Sequence, residues 1–181
     1  ELGAVRLNLL TETEVKNAVA EILEQIPTFD QIITDKLFLV EQMITPTIAE
    51  ILVSIDNDIQ FGHVLTIGAG GTLVELIRDT RTLLLPTSRQ EVHQAIASLR
   101  LSQLITGYRN QGGVSEDLLV DLVLRVVHLA KSLGSALGEI ELNPVVISPD
   151  GPVVVDAVLR ATSNELAKSP AANEQTVRPS H

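Results

Sequence analysis

Apolar and polar positions along this chain change their period several times, and each change predicts an element. Ala4, Val5, Arg6, Leu7, Asn8 and Leu9 alternate as a half-buried strand does. Thr11 with Glu14 three positions on forms a capping box. Val15, Ala18, Val19, Ile22, Leu23 and Ile26 then follow at helical spacing until Pro27 stops the run. Residues 37–44 and 48–55 read as two strands around Thr45-Pro46-Thr47, which predicts a hairpin. Asp56-Asn57-Asp58 reads as a polar turn that closes a first lobe, residues 1–57.

A second lobe, residues 58–162, begins with a strand over 63–67 that runs into Gly68-Ala69-Gly70-Gly71. A candidate helix over 73–78 and an apolar strand over 83–85 come next. Ser88 and Glu91 make a second capping box, opening a helix that carries Val92, Ala95, Ile96 and Leu99 on one face. Gly112-Gly113 breaks the chain before a long helix over 116–133 that ends near Gly134. Three short strands follow over 139–142, 145–147 and 153–158, with Pro149-Asp150-Gly151 turning between the last two. From Ser163 onward the sequence is polar and proline-bearing, and it reads as a mobile tail, residues 163–181.

Composition changes this picture in three ways. Of 181 residues 45% are hydrophobic but only 2% aromatic, so the core is aliphatic and β-branched, as in sheets covered by helices. No apolar run reaches the roughly 20 residues of a membrane span, and no leader pattern precedes the first strand, which points to a cytoplasmic chain without membrane contact. A formal charge of −10 argues against a nucleic-acid footprint, which needs clustered Lys and Arg, but it leaves room for a single nucleotide held by backbone amides and a cation. Cysteine is absent, which removes thiolate chemistry and Cys-based metal sites. The four histidines show no ligand spacing, and His93 and His128 read as ordinary helix residues.

Two clusters can carry chemistry. Glu139, Glu141 and Asn143 share one face of a strand, and the turn at Pro149 to Gly151 brings Asp156 back toward that face. Carboxylate and amide oxygens on neighbouring strands suit magnesium, which prefers hard ligands and shares its shell with phosphates. Spacing alone fits a solvated sheet face at least as well. The second cluster, Gly68, Gly70 and Gly71, lets backbone N–H groups approach an anion, although it lacks a Walker lysine and reads equally as a tight turn. Glu41, Gln42, Met43 and Glu50 lie on opposite arms of the expected hairpin, where a polar group among Leu39, Val40, Ile51 and Leu52 suits a pocket mouth.

An ordered set of motifs goes further. It runs through Val5-Arg6-Leu7-Asn8-Leu9, Val40-Glu41-Gln42-Met43, Glu50, Asp58-Ile59-Gln60-Phe61-Gly62, Ile67-Gly68-Ala69-Gly70-Gly71, Val74-Glu75-Leu76-Ile77-Arg78-Asp79, Gly107-Tyr108-Arg109, Glu141-Leu142-Asn143-Pro144 and Val155-Asp156-Ala157. This set resembles the ATP-grasp domain of ADP-forming acyl-CoA synthetases, the acetate–CoA ligase family, and more distantly the nucleotide-binding subunit of succinyl-CoA synthetase. The resemblance implies an α+β ATP-grasp fold, with the end of a small lobe and a large lobe of mixed sheets under covering helices. It implies that Glu41, Gln42 and Met43 form the hinge against the adenine edge and that Glu50 binds the ribose hydroxyls. Asn143 and Asp156 would hold Mg2+ against the phosphates of ATP, with Glu141 close by and Gly68, Gly70 and Gly71 near the phosphates. The implied partners are ATP, a CoA-binding domain in the same or a partner chain, and a small carboxylic acid, and the resemblance allows an oligomer. The implied reaction in the complete protein joins acid, CoA and ATP into acyl-CoA, ADP and phosphate through a phosphohistidine.

The departures from the family pattern also set expectations. Glu41 and Gln42 stand in the reverse of the usual hinge order, Leu83 stands where the family has an arginine, and Pro46-Thr47 replaces paired glycines. The family's phosphate-binding lysine and nearby histidine match nothing here, since Lys36 reads as a solvated turn residue, so the chain on its own is expected to be inactive. A degenerate nucleotide-sensing or structural module and another ATP-grasp carboxylate ligase are the alternative readings.

Overall fold

The computed structural model describes residues 3–25, 37–71, 79–107 and 113–162. Expectations for the stop at Pro27, Lys36, the candidate helix over 73–78, Tyr108 and Arg109, Gly112 and the tail beyond Thr162 lie outside the described residues. The chain divides into two compact units, Glu1–Thr45 and Pro46–His181.

In the first unit the helix α1, Glu12–Gln25, forms where its capping box places it. The Glu14 N–H donates to Thr11 Oγ1 at 3.2 Å, and the Thr11 N–H donates to a Glu14 carboxylate oxygen at 3.1 Å. These two bonds satisfy backbone donors that the first helical turn leaves without intrahelical partners. Residues 4–9, expected as a strand, and residues 37–44, expected as a hairpin arm, carry no strand pairing. Alternation alone does not make a strand, because the backbone N–H and C=O groups still need a ladder partner.

The second unit has a six-stranded antiparallel sheet with helices on one face. Its strands are β1 Ala49–Asp58, β2 Gly62–Ala69, β3 Thr80–Leu84, β4 Leu137–Ser148, β5 Gly151–Val154 and β6 Ala157–Ala161. The order is β3-β2-β1-β4-β5, with β6 also pairing to β4. The hairpin expected before Ile48 is therefore replaced by one after it. Both edges of β1 are already taken, by β2 on one side and β4 on the other. Asp56, Asn57 and Asp58, expected as a turn, continue β1, and the turn itself spans Asp58 to Gly62. There the Asp58 carboxylate accepts the N–H groups of Gln60 and Phe61 at 2.7 and 2.9 Å. The two strands expected over 139–142 and 145–147 are one strand, β4, bent at a bulge, while the single strand expected over 153–158 is split into β5 and β6.

The helices are α2 Arg89–Ala97, the short α3 Ser102–Thr106, which sequence reasoning missed, and α4 Glu116–Leu133. In α2 the Ser88–Glu91 capping box forms as expected. In α4, Leu119, Val120, Val123, Val126 and Ala130 recur on one face and are buried. They pack on Ile51, Val53, Ile55, Leu65 and Ile67 of the sheet, all fully buried. Each such side chain contributes about 1.5 to 3 kcal/mol of transfer free energy, and together they hold one sheet face against the helices. The other face carries polar groups. Among the described residues no helix is long and apolar enough to cross a membrane.

Candidate functional site

The polar face is set by the period of two in β1 and β4. Ile51, Val53 and Ile55 point into the core, so Ser54 and Asp56 emerge on the opposite side. On β4, Ile140 and Leu142 are buried, and Glu139 and Glu141 emerge beside Asp56 and Ser54, to which they are register partners.

The register then breaks. Ile51 pairs with Val145 but Val53 pairs with Leu142, so Leu52 alone faces two residues, Asn143 and Pro144. This is a β-bulge, a device that bends a strand and re-aims its side chains. The Asn143–Pro144 peptide is cis. On the far side of β4 the bulge coincides with the interruption between β5 and β6. Val145 pairs with Val154 and Leu142 with Ala157, and the Val155 N–H donates to the Pro144 carbonyl at 3.3 Å. Asp156, exposed, therefore lies in register across from the bulge that carries Asn143.

The glycine cluster reaches the same corner from β2. Gly68 and Ala69 end that strand, and Gly70 and Gly71 leave it. The Gly70 N–H donates to the Glu50 carbonyl at 2.8 Å, and a Cβ on Gly70 would lie 2.5 Å from the Ile51 backbone. Only a glycine brings the two backbones this close. Gly71 has φ +60°, the left-handed region that disfavours a side chain, and a Cβ there would lie 1.6 Å from a Glu50 carboxylate oxygen. The Gly71 N–H donates to Asn143 Oδ1 at 3.1 Å, and Asn143 Nδ2 donates to Glu141 Oε1 at 3.2 Å. One corner thus assembles Glu50, Gly70, Gly71, Asn143 and Glu141, with Asp156 in register beside it.

Glu41, Gln42 and Met43 lie in the other compact unit, in an exposed run without helix or strand. Sequence reasoning missed the bond from Gly71 to Asn143 and the contact of Glu50 with Gly71, since nothing local signals a link between positions 72 residues apart. It also missed Asp56. Burial raises its carboxyl above the usual range, Glu139 raises it further, a hydrogen bond from Ser54 opposes the rise, and Glu141 adds to it. Asp56 was overlooked because it was assigned to a turn, and the period-two pattern extended through residue 58 would have found it. Arg160 of β6 pairs with Glu139 and offsets part of this negative charge.

Among the described residues no group of three or more His, Cys, Asp or Glu is gathered for a metal. The expected magnesium set differs in kind, since it pairs carboxylates with the Asn143 amide. Its chemistry fits a hard cation. All the donors are oxygens, and Asn143 Oδ1, which accepts one N–H, keeps a second lone pair.

Comparison with known proteins bears on the chain as a whole. A family model described as ATP-grasp domain matches residues 1–161. The beta subunit of ADP-forming acetate–CoA ligase II from Pyrococcus furiosus is 28% identical over 155 residues, 84% of this chain and 65% of that subunit. ADP-forming acetate–CoA ligase I from Archaeoglobus fulgidus is 30% identical over 156 residues, 86% of this chain and 22% of that protein. The chain thus spans about two thirds of the one relative and about a fifth of the other. Among solved structures, a dinucleotide-forming acetyl-coenzyme A synthetase 1 from Ca. Korarchaeum cryptofilum, in complex with coenzyme A and Mg-AMPPCP, superimposes with a TM-score of 0.74. It shares 31% identity, over 89% of this chain and 69% of that one.

Proposed function

This chain belongs to the ATP-grasp domain family, and on that premise we propose that it is the Mg-ATP-binding part of an ADP-forming acid–CoA ligase. The observation that carries the proposal is the corner in which Gly71 sits between the Glu50 carboxylate and the Asn143 carboxamide. Those three residue types are what a nucleotide site needs in one place: an acid for ribose hydroxyls, a backbone turn that admits phosphate, and oxygen donors for a cation. In a phosphoryl-transfer site the protein's task is positioning and charge neutralisation rather than covalent chemistry.

In this reading Glu50 accepts hydrogen bonds from the ribose, Gly68, Gly70 and Gly71 keep the turn free of side chains beside the phosphates, and Asn143 and Asp156 hold magnesium with Glu141 close by. Bound magnesium would neutralise phosphate charge. The adenine role of Glu41, Gln42 and Met43 rests on the family resemblance alone. In the complete protein the reaction would convert a small carboxylic acid, CoA and ATP into acyl-CoA, ADP and phosphate, with a CoA-binding domain as partner. The bound nucleotide analogues and CoA of the archaeal synthetases support that assignment. The need for ATP suits a cytoplasmic setting.

Leu83 favours a second reading. It pairs with Leu65 and packs against the core, at a position where the resemblance implies an arginine. A chain that binds nucleotide here without supporting catalysis would be a sensing or structural module. The test is calorimetric titration with Mg-ADP and with ADP in EDTA, on the native chain and on Asn143→Ala and Asp156→Ala. Binding should require the divalent cation, and each variant should lose about tenfold or more in affinity, a charge-assisted contact being worth about 1.5 to 3 kcal/mol. Metal-independent binding that both variants retain would sink the magnesium assignment.

A further inference from the structure

We propose that Glu141 is a positioning residue: it sets the orientation of the Asn143 carboxamide, and through that amide it fixes the Gly71 turn beneath Glu50. The argument starts from donors and acceptors. A backbone N–H can only donate, so the atom of Asn143 that faces Gly71 must be its oxygen. A carboxylate can only accept, so the atom that faces Glu141 must be the NH2 group. A flipped amide would set two donors against each other at 3.1 Å and two oxygens against each other at 3.2 Å. The two contacts therefore agree on one orientation, and each enforces the other.

The bulge lies where these contacts meet. Plain β4 alternation would put Asn143 on the face of Glu141 two positions back, and a bulge re-aims the side chains it carries. With Leu52 facing two residues, the amide is turned to reach Glu141 on its own strand and Gly71 on the turn after β2. Gly71 in turn has little freedom, since its left-handed backbone and the adjacent Glu50 oxygen leave no room for a side chain. The result is a relay of Glu141, Asn143, Gly71 and Glu50 that spans three strands. Glu141 acts on the corner through Asn143 rather than as a donor to the cation.

This deepens the nucleotide-site reading and depends on it only for the magnesium arm of the test. The main arm uses the native chain and Glu141→Ala and Glu141→Gln variants without nucleotide or metal, and follows amide hydrogen exchange at Gly71 by NMR. In the alanine variant exchange at Gly71 should rise about tenfold, because the amide that accepts its hydrogen bond is no longer held. Glutamine, whose side-chain oxygen can still accept from Asn143, should restore protection. Glu139→Gln, on the same strand face, should leave Gly71 unchanged. Unchanged exchange in Glu141→Ala would overturn the proposal.

Should the alanine variant fail to fold, the native chain answers alone. In it the Asn143 side-chain N–H that donates to Glu141 should exchange about tenfold more slowly than a solvent-exposed side-chain amide. Exchange as fast as that of an exposed amide would overturn the proposal as well. In the magnesium arm, Glu141→Gln should keep the Mg-ADP affinity of the native chain within about threefold. If glutamine loses affinity as fully as alanine while Gly71 stays protected, Glu141 is a cation ligand and not a positioning residue. If the native chain binds no Mg-ADP, the nucleotide reading fails while the exchange result still decides the role of Glu141.

Discussion

The two faces of the sheet in the second unit are built by different rules. The helix-covered face is assembled from local signals: the Ser88 capping box starts α2, and the apolar stripe of α4 lies flat on Ile51, Val53 and Ile67. The polar face is assembled from long-range contacts, namely a bulge, a glycine turn and a carboxamide that spans two strands. The first face contributes apolar burial and little chemistry. The second offers few apolar contacts and holds the groups that face a nucleotide in our reading. Damage to one face should therefore change stability, and damage to the other should change binding.

The largest effect should come from the covered face. Leu119 is 1% exposed in the first turn of α4. Replacing it with alanine removes buried methylenes and leaves a cavity, at a cost of about 2 to 5 kcal/mol in chemical denaturation. Measured at a temperature where the variant is folded, Mg-ADP affinity should be unchanged within about twofold, because binding depends on the other face. A parallel loss of affinity would show that the two faces are not separable.

A change in binding should follow on the polar face. Glu50→Gln keeps the shape of the side chain and removes its charge, so nucleotide affinity should fall by about 1.5 to 3 kcal/mol in calorimetry. Stability should shift by no more than about 0.5 kcal/mol, as for an exposed substitution. Affinity equal to that of the native chain would reduce Glu50 to a surface acid.

The smallest effect sharpens the contrast, since it concerns stability on the polar face. Asp56 has a carboxyl raised above its ordinary 3.8, chiefly by burial and then by Glu139. An acid whose folded pKa is raised holds its proton more tightly when folded, so its ionisation costs the fold. That cost is absent below 3.8, grows as pH rises from there through the raised value, and is complete above it. Asp56→Asn should therefore stabilise the chain at neutral pH by about 0.5 kcal/mol, the scale of a like-charge cross-strand pair. The gain should vanish in urea melts below the carboxylate range. A gain that persists at low pH would point to packing rather than charge.

Much of the architecture was legible because its causes are short-range. The capping boxes at Thr11 and Ser88, the stripe along α4 and the alternation that sets Glu139 and Glu141 on one face each depend on residues a few positions apart. The motif order identified the family, which the match over residues 1–161 bears out, and with it the α+β ATP-grasp fold.

Pairing was another matter. Residues 4–9 alternate and residues 37–44 form a strand-like apolar run, yet they carry no strand pairing, because a strand is defined by its partner and both edges of β1 belong to β2 and β4. The bend of β4 at Asn143, and the split of one expected strand into β5 and β6 across from it, arise from registers on both sides of β4 that no single segment encodes. The sequence alone determined which residue types are present and which face of each element they occupy. Only the tertiary structure decided that Gly71 meets Asn143, because a hydrogen bond between residues 72 positions apart exists only once three strands have closed around it.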